Sequence, residues 1–124
     1  MSELIEIWST VGAHYHDLWV LYAVVAVGVL SFSFSETYMR TSRWVKCGLF
    51  LGFVAFALAN VKSLTDTVLL QREIMNNLRL QWSYSEVLLA GMGPTDLWTP
   101  LSLHAVIDVA TLVALVAGGR RTAG

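Results

Sequence analysis

Between Asp17 and Glu36 the chain reads LWVLYAVVAVGVLSFSFS, residues 18–35, without a single charged side chain. At about 1.5 Å per residue, a helix of this length crosses most of a roughly 30 Å hydrocarbon core. The stretch is therefore the first predicted transmembrane helix. It favours an all-α integral membrane protein.

Two further apolar stretches complete this prediction. The second span is expected over residues 44–64 and the third over residues 100–118. Thr99 followed by Pro100 is typical of a helix start. Asp108 is the one acidic residue inside the third span. We expect the three spans to form a single membrane domain that occupies residues 1–124.

The composition agrees with a chain that is in contact with a lipid bilayer. Of the 124 residues, 56% are hydrophobic and 14% are charged, whereas about a quarter of a soluble domain is charged. A net charge of −1 gives no basic surface, so nucleic-acid binding is not expected. The single cysteine, Cys47, excludes an internal disulfide and any zinc site that needs several cysteines.

Residues 63–83 contain no proline or glycine, and their apolar residues recur at helical spacing. The simplest prediction is that the second helix continues beyond the outer membrane face, giving one helix of about 40 residues and 60 Å. The alternative is a break near residues 60–63, followed by an amphipathic helix that lies on the membrane.

The distribution of charges predicts how the chain is oriented. Cytoplasmic loops of membrane proteins carry an excess of Lys and Arg. The N-terminus is acidic, whereas the first loop and the C-terminus are basic, with Arg40, Arg43, Lys46, Arg120 and Arg121. We therefore expect a plasma (inner) membrane protein with its N-terminus outside, its C-terminus cytoplasmic and residues 63–98 outside.

One face of the second span consists of small residues. Gly48, Gly52, Ala55 and Ala59 follow one another at helical spacings. Small residues let helix backbones approach closely, which is what holds helices together in lipid. The pattern predicts that this face packs on another helix, either within the chain or in a second subunit.

Polar residues are expected to meet near the outer end of the spans. An Asp at the centre of a span costs about 2.5 to 3.5 kcal/mol, so Asp108 needs a partner, and Lys62 and His104 are the candidates. With Asp66, these residues are predicted to form one polar membrane cluster. It is either a set of structural ion pairs or part of an ion or proton pathway that is lined by His104, Asp108 and Thr111.

The histidines suggest a further possibility. His14 and His16 precede the first span and are expected on the same side of the membrane as His104. Three imidazoles and a carboxylate can hold zinc or copper, and haem ligation by opposed histidines is also open. The competing interpretation is that His14 and His16 are ordinary interfacial polar residues.

The sequence contains no nucleotide-binding glycine loop and no nucleophile elbow, so catalysis by this chain alone is not expected. The favoured function is an oligomerising or accessory subunit of a membrane complex, in contact with copies of itself or with other membrane subunits. One alternative is an oligomeric pore or an ion or proton pathway. The predicted arrangement of three spans resembles that of some phage holins, and this resemblance covers topology but no specific residues. Another is a redox subunit that binds a metal or haem.

Overall fold

The computed structural model describes residues 2–81 and 96–120. These residues form four helices and no strand: α1 (Ser2–Ser33), α2 (Glu36–Arg40), α3 (Arg43–Gln81) and α4 (Trp98–Arg120). Helices α1, α3 and α4 are long and apolar enough to cross a membrane. The predicted all-α class, with three candidate membrane helices, is confirmed at this level.

Helix α1 begins at Ser2, well before the predicted start at residue 18, and its 32 residues make it about 48 Å long. Its charged residues lie on an exposed face, while Leu4, Trp8, Val11 and Tyr15 are half-buried. The lack of charged residues in the sequence therefore locates only the apolar part of α1. The helix continues through its charged part because one of its faces is packed.

Helix α3 is a single helix of 39 residues, about 58 Å long. It passes through residues 60–63 without interruption, which excludes the alternative of a break followed by a separate amphipathic helix. Trp82 and Ser83, the last two residues of the predicted outer segment, lie outside the described residues.

Helix α4 begins at Trp98, two residues before Pro100, and it is Asp96 that caps it. The Asp96 carboxylate accepts hydrogen bonds from the backbone N–H groups of Trp98, at 2.9 Å, and Thr99, at 3.2 Å, and from the Thr99 hydroxyl. The Thr99 hydroxyl and these backbone donors hold the pKa of Asp96 below its ordinary value. Pro100 remains in the first turn, where its missing N–H is not needed. Arg121 lies outside the described residues.

The three long helices pack along faces whose residues alternate at spacings of three and four. On α3 every residue of this seam is buried: Phe53, Ala57, Asn60, Leu64, Thr67, Gln71, Ile74 and Leu78. On α1 and α4 the corresponding residues are buried or half-buried: Leu4, Trp8, Val11, Tyr15, Leu18, Tyr22, Val25 and Val29 on α1, and Leu101, His104, Asp108, Thr111, Leu115 and Gly118 on α4. A mean spacing of 3.5 residues is that of helices packed at a small angle, as in coiled coils.

Helix α2 closes one end of the bundle, called the α2 end below. Tyr38 is buried there, and its hydroxyl donates to the Leu115 carbonyl at 2.9 Å. The Ser35 hydroxyl caps α2 by accepting from the Tyr38 N–H at 3.1 Å. The Lys46 ammonium lies 5.2 Å from the centre of the Tyr38 ring. Burial raises the pKa of the Tyr38 phenol, so the hydroxyl remains a donor at neutral pH.

Gly118 lets α4 approach the end of α1 at this point. A Cβ atom on Gly118 would collide with the carbonyl oxygen of Ser33 and would lie 3.2 Å from the Tyr38 ring. Because the first obstacle is backbone rather than a movable side chain, only glycine fits here without displacing a helix.

We expect Gly118→Ala to destabilise the bundle by about 1 to 3 kcal/mol, the usual cost of overpacking a core. Gly28→Ala is the matched control, because Gly28 is an exposed helical glycine with nothing within 4 Å of a Cβ atom at that position. The control should be neutral, or more stable by up to about 1 kcal/mol through helix propensity. Thermal unfolding of both variants in detergent measures the difference, and equal melting temperatures would contradict the close approach.

Candidate functional site

Four polar side chains from three helices meet beside the first half of α4, which is the half of that helix remote from the α2 end. Tyr22 comes from α1, Asn60 from α3, and His104 and Asp108 from α4. His104 and Tyr22 have no exposed surface, whereas the Asp108 side chain is 18% exposed. These residues are called the four-residue network below.

Both ring nitrogens of His104 are engaged. Nε2 lies 3.1 Å from the side-chain oxygen of Asn60, whose amide nitrogen donates to the Leu18 carbonyl at 3.3 Å. Because the Asn60 oxygen can only accept, His104 Nε2 carries a hydrogen and donates. The other nitrogen, Nδ1, lies 2.7 Å from Asp108 Oδ2.

The contact between His104 and Asp108 requires a hydrogen atom, because two bare acceptor atoms would repel each other at this distance. The pair is either an imidazolium with a carboxylate or an imidazole with a carboxylic acid. It is electrically neutral in both forms. A neutral pair is the form that a low-dielectric interior tolerates, since an isolated buried charge is costly.

Tyr22 covers this pair from α1. Its hydroxyl lies 2.8 Å from Asp108 Oδ1 and 3.2 Å from the His104 carbonyl oxygen, and it donates to them. Its ring stacks on the imidazole, with centroids 3.8 Å apart and planes at 25°. The Trp19 ring lies 5.9 Å from the imidazole. The aromatic rings therefore shield the polar contacts from solvent.

Lys62 does not belong to this site, which corrects the prediction of a single polar cluster. It forms an ion pair with Asp66 at 2.6 Å, and the two side chains are 78% and 60% exposed. At 100° per residue, both lie on the side of α3 roughly opposite the seam. The predicted cluster is thus two separate pairs, and Asp108 takes its other predicted partner, His104.

Thr111, the third polar residue predicted to line a pathway, makes its hydrogen bond within its own helix. Thr111 is buried, and its hydroxyl donates to the Ile107 carbonyl at 2.8 Å.

Between the four-residue network and the α2 end lies a layer of buried apolar residues: Ala26, Phe53, Ala57 and Leu115. The other face of α4 exposes Val106, Val109, Val113 and Val116, so His104, Asp108 and Thr111 lie on the side of α4 that faces the other helices.

The three histidines considered for a metal site are not brought together. His14 and His16 are exposed on α1, whereas His104 is buried with both nitrogens in use. Across residues 2–81 and 96–120, no group of three or more His, Cys, Asp or Glu side chains is arranged to hold a metal ion. His104 also has no free nitrogen to offer a haem iron.

Tyr22 and Asn60 are the members of the network that the sequence prediction missed. The sequence prediction assigns no role to Tyr22, and it treats residue 60 only as the start of a possible break in the helix. Each stands at a seam position in an otherwise apolar run. That combination, a polar side chain on a packing face within a span, is the signal that could have identified both.

The small-residue face of α3 is exposed. Gly48, Gly52, Ala55 and Ala59 all face outward, and a Cβ atom on Gly48 or Gly52 would meet nothing within 4 Å. Within the described part of the chain, no other helix covers this face. Of the two partners predicted for it, a helix of the same chain is therefore not found among residues 2–81 and 96–120.

Removing the Tyr22 hydroxyl should weaken the network measurably. We expect Tyr22→Phe to cost about 1 to 3 kcal/mol, because Asp108 Oδ1 loses its donor in a largely buried site. Tyr15→Phe, on the same helix, is the matched control, since the Tyr15 hydroxyl makes no hydrogen bond within the described residues. Thermal unfolding in detergent compares the two variants. Equal losses would mean that the hydroxyl contact contributes nothing specific.

The two ion pairs should behave independently. His104→Leu and Asp108→Leu should each cost about 3 to 5 kcal/mol, and the double variant should cost clearly less than their sum. Lys62→Met should cost only about 0 to 1 kcal/mol. It should be additive with Asp108→Leu to within about 0.5 kcal/mol. Strong coupling between Lys62 and Asp108 in these double-mutant cycles would contradict the separation of the pairs.

Comparison of the chain with known proteins found no match to a protein family, a curated protein or a solved structure.

Proposed function

We propose that the chain is an assembling subunit of the plasma (inner) membrane, which joins copies of itself or another membrane protein through the small-residue face of α3. One observation carries the proposal: Gly48, Gly52, Ala55 and Ala59 form an exposed face of small residues that lies away from the seam through which α3 packs on α1 and α4. The three apolar helices supply the membrane anchorage that such a subunit needs.

The small-residue face is free because intrachain packing uses the other side of α3. The seam runs through Phe53, Ala57 and Asn60, and at 100° per residue its centre is about 140° from that of the small-residue face. In lipid, helices associate by close backbone contact rather than by hydrophobic burial. Because the small-residue face is not used for packing inside the protomer, it favours contact with a helix of a second molecule.

The neighbours of this face also suit a helix partner. Leu51 and Leu58 project beside it and are 60% and 67% exposed. Large side chains next to small ones form a ridge and a groove, into which a second helix can fit. Lys62 and Asp66 continue the same stripe, so a helix that follows the groove would reach an ion pair at its end.

The charge distribution supports the proposed orientation. Arg40, Arg43, Lys46 and Arg120 belong to α2 or to the helix ends that meet at the α2 end. By the positive-inside tendency, this end is cytoplasmic and the beginning of α1 lies outside.

Two other functions are less well supported. A pore or ion pathway needs polar groups that line water, whereas the polar groups of α4 face the interior of the protomer, and the apolar layer lies beyond them. A metal or haem subunit would have to rely on His14 and His16, because His104 is fully engaged.

The test is the assembly state of glycine variants. Gly48→Ile and Gly52→Ile should reduce association at least tenfold, because a branched side chain blocks backbone approach. Gly28→Ile is the matched control, since Gly28 is an exposed glycine on α1 with nothing within 4 Å of a Cβ atom. Native mass spectrometry from detergent reports the copy number and any partner. Co-purification of two differently tagged copies separates self-association from binding to another protein.

Unchanged assembly in the Gly48 and Gly52 variants, or an equal loss in the Gly28 variant, would contradict the proposal. A protein that is monomeric and partner-free in native membranes would contradict it as well.

A further inference from the structure

We propose that a groove between α3 and α4 near the α2 end binds one anionic phospholipid, with an acyl chain along the groove and the phosphate at its cationic end. The groove is lined by Phe50 of α3 and by Leu112, Val113, Val116, Ala117 and Arg120 of α4. Its volume is about 520 Å³, within the roughly 300 to 1,000 Å³ of small-molecule sites. The inference rests on the proposed membrane location but not on assembly through the small-residue face.

The lining of the groove is apolar except for Arg120. Phe50 and Leu112 are half-buried, whereas Val113 and Val116 are exposed, so the groove is open to the surroundings of the bundle. A chain that lies in a groove touches atoms of two helices, and it gains more dispersion contacts than it would on the convex surface of one helix. The groove therefore suits a flexible hydrocarbon chain.

The length of the groove matches the depth of one lipid leaflet. From Arg120 back to Leu112, α4 rises by about 12 Å. One leaflet accounts for about 15 Å, half of a roughly 30 Å hydrocarbon core. A lipid whose headgroup lies beside Arg120 consequently has its acyl chain next to the groove over most of that leaflet.

Two cationic side chains stand at the α2 end of the groove. Arg120 belongs to its lining, and Lys46 lines an adjoining cavity of about 220 Å³ that shares Phe50 and Val116 with it. A Cβ atom on Gly119 would lie 3.9 Å from Lys46 Cδ, so the lysine side chain reaches the end of α4 next to Arg120. The two cations and the apolar groove therefore form one continuous site.

The charges at this end of the bundle favour an anion. Within the described part of the chain, Lys46 and Arg120 form no ion pair, whereas Arg40 is paired with Glu36 at 3.8 Å. The Lys46 ammonium donates to the Met39 carbonyl at 3.2 Å. It has two further N–H groups that can donate to a phosphate oxygen. Basic pockets between membrane helices are typical sites for anionic headgroups.

The groove and the small-residue face lie on different sides of α3. At 100° per residue, Phe50 is about 160° around the helix from both Gly48 and Gly52. A partner helix on the small-residue face would leave the groove open. Lipid binding and assembly can therefore be measured separately.

Native mass spectrometry of the purified chain tests the proposal. The protein in detergent is incubated with equal amounts of phosphatidylglycerol and phosphatidylcholine that carry the same acyl chains. We expect each protomer to retain one phosphatidylglycerol, with a preference of at least about tenfold over phosphatidylcholine, because each of the two cations contributes about fivefold.

Substitution of the cations should remove this preference in steps. Lys46→Gln and Arg120→Gln should each lower it about fivefold, and the double variant should bind both lipids equally. Arg40→Gln is the matched control, because this cation at the same end is 83% exposed and lines neither cavity. The control should keep the wild-type preference.

Filling the groove tests the position of the acyl chain. Val113 and Val109 are both 61% exposed on α4, but of the two only Val113 lines the groove. Val113→Trp should therefore lose most of the retained phosphatidylglycerol. Val109→Trp, the matched control, should retain as much as the wild type.

Equal retention of the two lipids by the wild type would overturn the proposal. So would a preference that survives in the double variant of Lys46 and Arg120, or equal losses in the two tryptophan variants. Circular dichroism checks folding, and the charge variants and the tryptophan variants give separate comparisons if one set fails to fold. Gly52→Ile should retain the lipid even if it no longer assembles, which distinguishes failure of this proposal from failure of the assembly proposal.

Discussion

The requirement that a buried polar group be paired governs the packing of this bundle. Asp108 stands in the middle of α4 and is the one acidic residue of that helix, and it is tolerated because His104 and Tyr22 both bond to its carboxyl group. These bonds exist only if α4 sits against α1 with one rotation and one height. His104 adds the same condition for α3 through its contact with Asn60. The four-residue network thus fixes the register of three helices.

Because these polar contacts fix the register of the three long helices, the two opposite sides of α3 can differ in function. The seam, with Phe53 and Leu64, carries bulky side chains that interlock with α1 and α4. The opposite side, with Gly48 and Gly52, carries almost no side-chain volume. Small residues permit the close approach of two helices but do not by themselves bring the helices together. In this bundle the interlocking of large side chains determines how α3 packs on α1 and α4. The small-residue face therefore remains available for the proposed partner.

The difference between the two sides also explains what the sequence could and could not predict. Apolar stretches located all three candidate spans, and the lack of Gly or Pro predicted that α3 continues past residue 63. Depth alone suggested Lys62 as a partner of Asp108, but the direction of a side chain around the helix matters as much as its height. Extending the alternating three-and-four spacing along α3 selects Asn60 and rejects Lys62. The same spacing along α1 marks Tyr22 as a packing residue, but its partner on α4 cannot be derived from a single sequence.

Helix α4 is held at two heights by different kinds of interaction. At the α2 end the contact is steric, because Gly118 lies against the Ser33 backbone and the Tyr38 ring. In the first half of the helix the contact is polar, because His104 bonds to Asn60 of α3 and Asp108 bonds to Tyr22 of α1. The steric contact limits how closely α4 can approach α1, whereas the hydrogen bonds select its rotation and height. Because buried apolar residues separate the two contacts, α4 is fixed at two separate points, and its tilt is determined as well as its position.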